Sequence, residues 1–199
     1  MATNFRIDQF KTQLKGGGAR PNQFQVRIAF PLWVQNNRQL LESSSFLVSI
    51  AELPGQTIGT TPVYYRGREI KLAGDKVFAP FSCTILNDTD FKLRQGLEEW
   101  MNGIESNGIK TGFTNPSAYQ ASLDVMQLDR NGATLRAYKM LGAFPVDISP
   151  VGLDFSANDQ LSTFTVSFQY QHFEYGARAA DSIAASTIIP EAIPGFLNV

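Results

Sequence analysis

The side chains best suited to covalent or proton-transfer chemistry are Cys83 and His172, each the only one of its kind in 199 residues. A thiolate attacks with an imidazole as its base, so the two could act as a dyad if the fold joined them. Their surroundings argue otherwise. Cys83 alternates with Phe81 and Ile85, which places it in a core as a small hydrophobe, and His172 extends the row Phe164, Val166, Phe168, Tyr170 by two residues. The histidine is therefore expected at the end of a core-facing row. A zinc or iron–sulfur centre would lack ligands, and no disulfide can close within the chain. Glu98, Glu99 and Glu105 could pair as catalytic acids, yet they fit the solvated face of a helix. The run KGGGAR lacks phosphate-loop spacing, and Pro21 stands where G-x-G-x-x-G beginning at Gly16 needs glycine, so it reads as a linker. Tyr64 and Tyr65 beside Arg66, Arg68 and Lys71 could stack bases or dock on an acidic protein neighbour. With 17 Lys plus Arg against 18 Asp plus Glu, protein contact is the better fit.

The elements that position these residues are mostly strands. Fifteen Phe, 6 Tyr and 2 Trp accompany 43% hydrophobic and 18% charged residues, which suits one β-rich domain with its own core. Residues 1–19 form an amphipathic arm with Phe5, Ile7, Phe10 and Leu14, closed by a swivel at Gly16, Gly17 and Gly18. Phe24, Val26, Ile28 and Phe30 alternate with polar residues as a half-buried strand, which Pro31 stops. Residues 32–45 read as an excursion, after which Phe46, Val48 and Ile50 resume a period of two. The stretch 52–68 suits an extended loop or long hairpin, followed by two strands around Gly74 and Asp75. One convincing helix follows, with Asn87 as cap, Asp88 and Asp90 in its first turn, and Leu93, Leu97, Trp100, Met101 and Ile104 along one side. Gly96 weakens it, and it is expected to seal the open side of a sheet.

Beyond the helix, Asn131-Gly132 joins two strand-like runs as a hairpin. Gly142 to Pro145 breaks the second run, and residues 163–175 supply the last strand. Residues 176–199 are a tail of small and apolar residues whose Ile183, Ile188, Ile189, Ile193 and Phe196 are expected to dock on a neighbouring subunit. No stretch approaches the roughly 18 apolar residues that span a bilayer, so the expectation is a soluble protein of a reducing compartment.

In order and spacing the chain resembles the tail tube proteins of contractile-tailed bacteriophages. The likeness runs through ARPNQFQVRI at 19–28, Ala51-Glu52-Leu53-Pro54, Arg68 to Asp75, the strand ending in Asn87-Asp88, the helix with Trp100, then Tyr119, Gly142 to Pro145, and QLSTFTVSFQY. It spans residues 19–175. The resemblance implies a mainly β, sandwich or barrel-like domain, 20–175, with one flanking helix. Its strands would join those of neighbours in a hexameric ring, and the rings would stack into the tube that conducts the genome. It implies no catalysis and no cofactor. Partners would be further copies of the chain, the tail sheath, the tape-measure protein, and baseplate and terminator proteins. DNA would pass through without specific binding, in a virion tail assembled in the host cytoplasm. Assembly residues carried over are Leu53, Pro54, Tyr64, Tyr65, Arg66, Arg68, Gly74 and Asp75, with 52–68 as the inter-ring loop. Phe24, Val26, Leu97, Trp100, Phe164 and Val166 are assigned to the core. A tube-end or baseplate ring of the same fold and an oligomeric nucleic-acid-binding barrel are the alternative readings.

Overall fold

The computed structural model describes residues 7–14, 18–108 and 111–176. In chain order the elements are α1 (Ile7–Gln13), β1 (Phe24–Ile28), α2 (Asn37–Leu47), β2 (Val48–Ala51), β3 (Gln56–Tyr65), β4 (Arg68–Phe78) and β5 (Phe81–Leu86). Then follow α3 (Lys92–Ile104), α4 (Pro116–Tyr119), β6 (Ala121–Leu128), β7 (Thr134–Ile148), β8 (Thr163–Gln169) and β9 (His172–Gly176). The expected tail contacts and the swivel at Gly16 and Gly17 lie outside the described residues.

Alternation decides the strands. In β5, Phe81, Cys83 and Ile85 turn inward and Ser82 and Thr84 outward; β8 does the same with Phe164, Val166 and Phe168 against Thr165 and Ser167. The longest strand, β7, does not break at Gly142 to Pro145 but bends there. Gly142 has φ 65°, and a Cβ on it would lie 2.7 Å from Gln171 Cγ, so a glycine lets the strand turn without losing its ladder. Before the bend β7 pairs with β6 and β9, and after it with β8. Two antiparallel layers result, β1-β6-β7-β9 and β7-β8-β5-β2, joined through the bent strand. Val26, Ile28, Leu123, Val125 and Met140 from the first meet Phe81, Ile85, Phe164, Val166 and Phe168 from the second in one core. Phe24 packs against its margin.

The last strand also departs from its pattern. Tyr170 and Gln171 interrupt it, and Gln171 N–H donates to the Leu141 carbonyl at 3.0 Å. The interruption changes parity: Phe173 takes the place on the core side, and His172 is exposed. The expectation of a core-facing histidine is thereby corrected.

Residues 32–45 are no excursion. Most of them form α2, and Phe46 belongs to that helix rather than to a strand, leaving its side chain 81% exposed. Two contacts fix α2. Leu40 lies against Gly96 of α3, where an added Cβ would stand 2.5 Å from Leu40 Cδ1, so the glycine that weakens α3 alone admits the helix beside it. Ser44, fully buried, accepts the Ile28 N–H at 3.0 Å and donates to the Leu41 carbonyl at 2.7 Å. The second helix thus satisfies the outward amide of β1 and covers that sheet edge.

In α3, Leu93, Leu97 and Trp100 face the core. Asn87 is not its cap: Phe91 holds that position with left-handed backbone, while Asp88 Oδ1 accepts the Lys92 N–H at 3.1 Å. Asn87 Nδ2 instead donates to Ser162 Oγ at 2.8 Å. The expected turn at Gly74-Asp75 is absent too. Both residues lie inside β4, and Gly74 faces Gly59 across a bulge, where a Cβ would stand 3.1 Å from the Gly59 carbonyl oxygen. The turn falls at Arg66-Gly67, with φ of 48° and 78°.

Candidate assembly surfaces

The fold keeps the reactive side chains apart. Cys83 points into the core at 2% exposure, whereas His172 stands on the wet side of β9. Burial pushes the Cys83 thiol up to about 12, so it is neither a thiolate nor accessible. A water-soluble thiol reagent should therefore leave the native protein unlabelled and modify Cys83 only in denaturant; stoichiometric labelling in native buffer would contradict this placement. Glu98 and Glu105 are exposed, and Glu98 accepts from Arg94 Nε at 2.8 Å. Glu99 lies near Gln35, whose N–H it accepts at 3.4 Å. Among the described residues no group of three His, Cys, Asp or Glu side chains could hold a metal, and no helix is long and apolar enough to cross a membrane.

What the fold does expose is an arm. β3 and β4 form a two-stranded hairpin in which every residue of β3 is exposed. It runs on to Phe78, well beyond the expected limit at residue 68. At its root Ala79 N–H donates to the Gly55 carbonyl at 3.2 Å, and Phe78 packs against Tyr170 and Phe173 at 5.9 and 5.4 Å between ring centres. Leu53 is 48% exposed and Pro54 half-buried just before it. Towards the tip, the pairs Val63–Ile70, Thr61–Leu72 and Tyr65–Arg68 share one face, and Tyr64 with Glu69 and Lys71 the other. Arg66 lies over the Tyr65 ring at 5.4 Å. An isolated two-stranded hairpin is marginal in water, so apolar side chains displayed this way call for a partner.

The second exposed feature is a pair of sheet edges. Among the described residues, no strand of the layer β7-β8-β5-β2 pairs the outer side of β2, and none pairs β7 beyond Ala143 on the side away from β8. Beside that stretch of β7 lies a groove of about 720 Å³, lined by Met101, Ile104, Glu105, Pro145, Asp147 and Ile148. Open edges are templates for pairing with another chain. The outward face of this layer carries hydroxyls at Ser82, Thr84, Thr165 and Ser167, with Asp147 at one margin and, on β2, Ile50 beside Thr84 and Ser49 at the bulge, its hydroxyl donating to the Thr84 carbonyl at 3.2 Å. Thr84 and Thr165 touch through their hydroxyls at 3.2 Å. The other layer is different. Its outward face aligns Arg27, Asp124, Lys139 and Glu174 across four strands. Burial raises the Asp124 carboxyl above its usual range, partly offset by Lys139 and Arg27.

Among the described residues, the open edges of β2 and β7 and the apolar arm are surfaces suited to contact with other chains. Comparison with known proteins says what kind of protein carries them. The family model for phage tail tube protein matches residues 19–175. Tail tube protein gp19 of Enterobacteria phage T4 is 28% identical over 160 residues, covering 80% of this chain and 93% of its own. The tail tube protein of Serratia phage KSP90 is 27% identical over 166 residues, covering 82% and 93%. Among solved structures, a chain of the anti-feeding prophage baseplate, reconstructed with 6-fold symmetry, superposes with a TM-score of 0.61 at 15% identity, covering 80% of this chain and 96% of its own. A chain of an extracellular contractile injection system solved as a sheath–tube complex gives 0.51 at 12%, covering 87% and 99%. The chain belongs to the phage tail tube protein family.

The eight residues carried over from the resemblance, Leu53, Pro54, Tyr64, Tyr65, Arg66, Arg68, Gly74 and Asp75, lie on the arm or just before its root. The open edges were missed, because edge status follows from which strands pair rather than from any one residue.

Proposed function

We propose that this chain is the structural subunit of a phage tail tube. Six copies, matching the symmetry of the baseplate relative, join into a ring when β2 of one pairs with the free stretch of β7 in the next. The geometry is self-consistent. The four strands β7, β8, β5 and β2 alternate in direction, so in a head-to-tail ring the strands meeting at each junction run antiparallel, and the ring closes with neither the β2 nor the β7 edge left over. The groove beside β7 leaves room for the incoming strand. The hydroxyl face then lines the channel, where nothing neutralises phosphates and a polyanion can slide. The opposite layer cannot serve as well, because α2 covers its β1 edge through Ser44.

Rings stack through the arm, the tail sheath surrounds them, and the tape-measure protein and then DNA occupy the lumen. Assembly takes place in the host cytoplasm, and the product is part of the virion tail. The observation that carries this reading is the matched pair of open edges on a single sheet. Negative-stain microscopy of the purified chain tests it: rings or hollow rods are expected, and solitary globules at every concentration would refute it. Salt-dependent retention of single-stranded DNA by the unassembled subunit would instead favour a nucleic-acid-binding barrel.

A further inference from the structure

The arm has a counterpart at the opposite end of the same sheet. It leaves the layer β7-β8-β5-β2 at the end marked by the pair Phe81–Phe168, and the loop from β7 to β8 leaves at the other end, beyond the pair Leu86–Thr163. That loop, residues 149–162, displays Leu153 at 91%, Phe155 at 109% and Leu161 at 74% exposure. Its charged residues are Asp154 and Asp159, with no Lys or Arg. The arm's distal part carries Arg66, Arg68 and Lys71 against Glu69 alone. Two exposed apolar surfaces of opposite charge therefore lie at opposite ends of one sheet.

We infer that the loop 149–162 is the docking site for the hairpin of a second copy of this chain in the adjacent ring, with Val63, Ile70 and Leu72 packing on Leu153, Phe155 and Leu161, and Arg66 and Arg68 facing Asp154 and Asp159. This rests on the tube reading above. A contact between unlike ends is heterologous, and because it never closes it propagates along an axis, as stacking rings require. Apolar packing supplies the attraction, and the charges fix which face meets which.

Loop side chains this exposed contribute little to the core, so Leu153→Ser with Phe155→Ser should leave the thermal midpoint unchanged while rods give way to single rings. Arg66→Asp alone and Asp154→Arg alone should each shorten the rods, and the two combined should restore them. As an independent check, Tyr65→Cys with Phe155→Cys should give a ladder of disulfide-linked oligomers on oxidation. Wild-type rods together with unimpaired rods from the Leu153/Phe155 variant and no cross-linked ladder would overturn the inference and leave the tube reading standing. Failure of the wild type to form rings or rods would defeat both.

Discussion

Replacing Trp100 by alanine should cost about 3–5 kcal/mol of stability, the range for removing a buried Trp or Phe side chain. Trp100 is fully buried and stands at the junction of the helices and the two layers. Its ring lies 5.5 Å from Phe30 and 6.2 Å from Phe168, and its indole N–H donates to the Tyr119 carbonyl at 2.7 Å. Truncation empties the cavity and leaves that carbonyl without its partner, and surrounding strands cannot collapse into a space held open by α3. Domains of this size have a total stability of only about 5–15 kcal/mol. The variant should show a much lower denaturant midpoint with an unchanged slope, or fail to accumulate as folded protein. A midpoint within experimental error of wild type would mean that α3 is not docked as described.

The second large effect should be on assembly with no matching effect on folding. Excising residues 57–77 and joining the ends by a short turn removes an arm whose strands, among the described residues, pair only with each other. Phe78 stays, because it packs on Tyr170 and Phe173. The arm contributes no residue to the buried core, so the thermal midpoint should move by no more than a surface change produces, about 0.5 kcal/mol in stability. Sedimentation should nonetheless show long polymers abolished, leaving rings or free subunits. Rods of normal length from the excised chain would mean that stacking is carried by other surfaces.

Legibility varied with how local the deciding interaction is. The alternation in Phe81–Ile85 and Phe164–Phe168, the hairpin at Asn131-Gly132 and the spacing of Leu93, Leu97 and Trp100 report the burial of each element by itself, and they read directly. α2 did not. Three successive serines and few apolar anchors look like a loop, and the helix exists because Leu40 finds Gly96 and Ser44 finds Ile28, contacts made at long range. Gly74-Asp75 misled for the converse reason: a dipeptide that signals a turn serves here as a close approach at a bulge. At Gln171 a one-residue irregularity exchanged the faces of everything after it, moving His172 outward and Phe173 inward. The arm's aromatic and basic residues were visible as unusual, but its length was not, since β4 continues to Phe78 by pairing with β3 on both sides of the bulge. The open edges of β2 and β7 belong to topology, which no window of sequence contains.

The claim on which the account turns is that two unpaired strands of one subunit complete each other between subunits. A cryo-EM map of the purified polymer at side-chain resolution tests it most directly. The expected map shows an antiparallel ladder between Val48–Ala51 of one copy and Phe144–Ile148 of the next, with Ser82, Thr84, Thr165 and Ser167 facing the lumen. A wall in which both edges stay unpaired, or in which Arg27 and Lys139 line the channel instead, would contradict it.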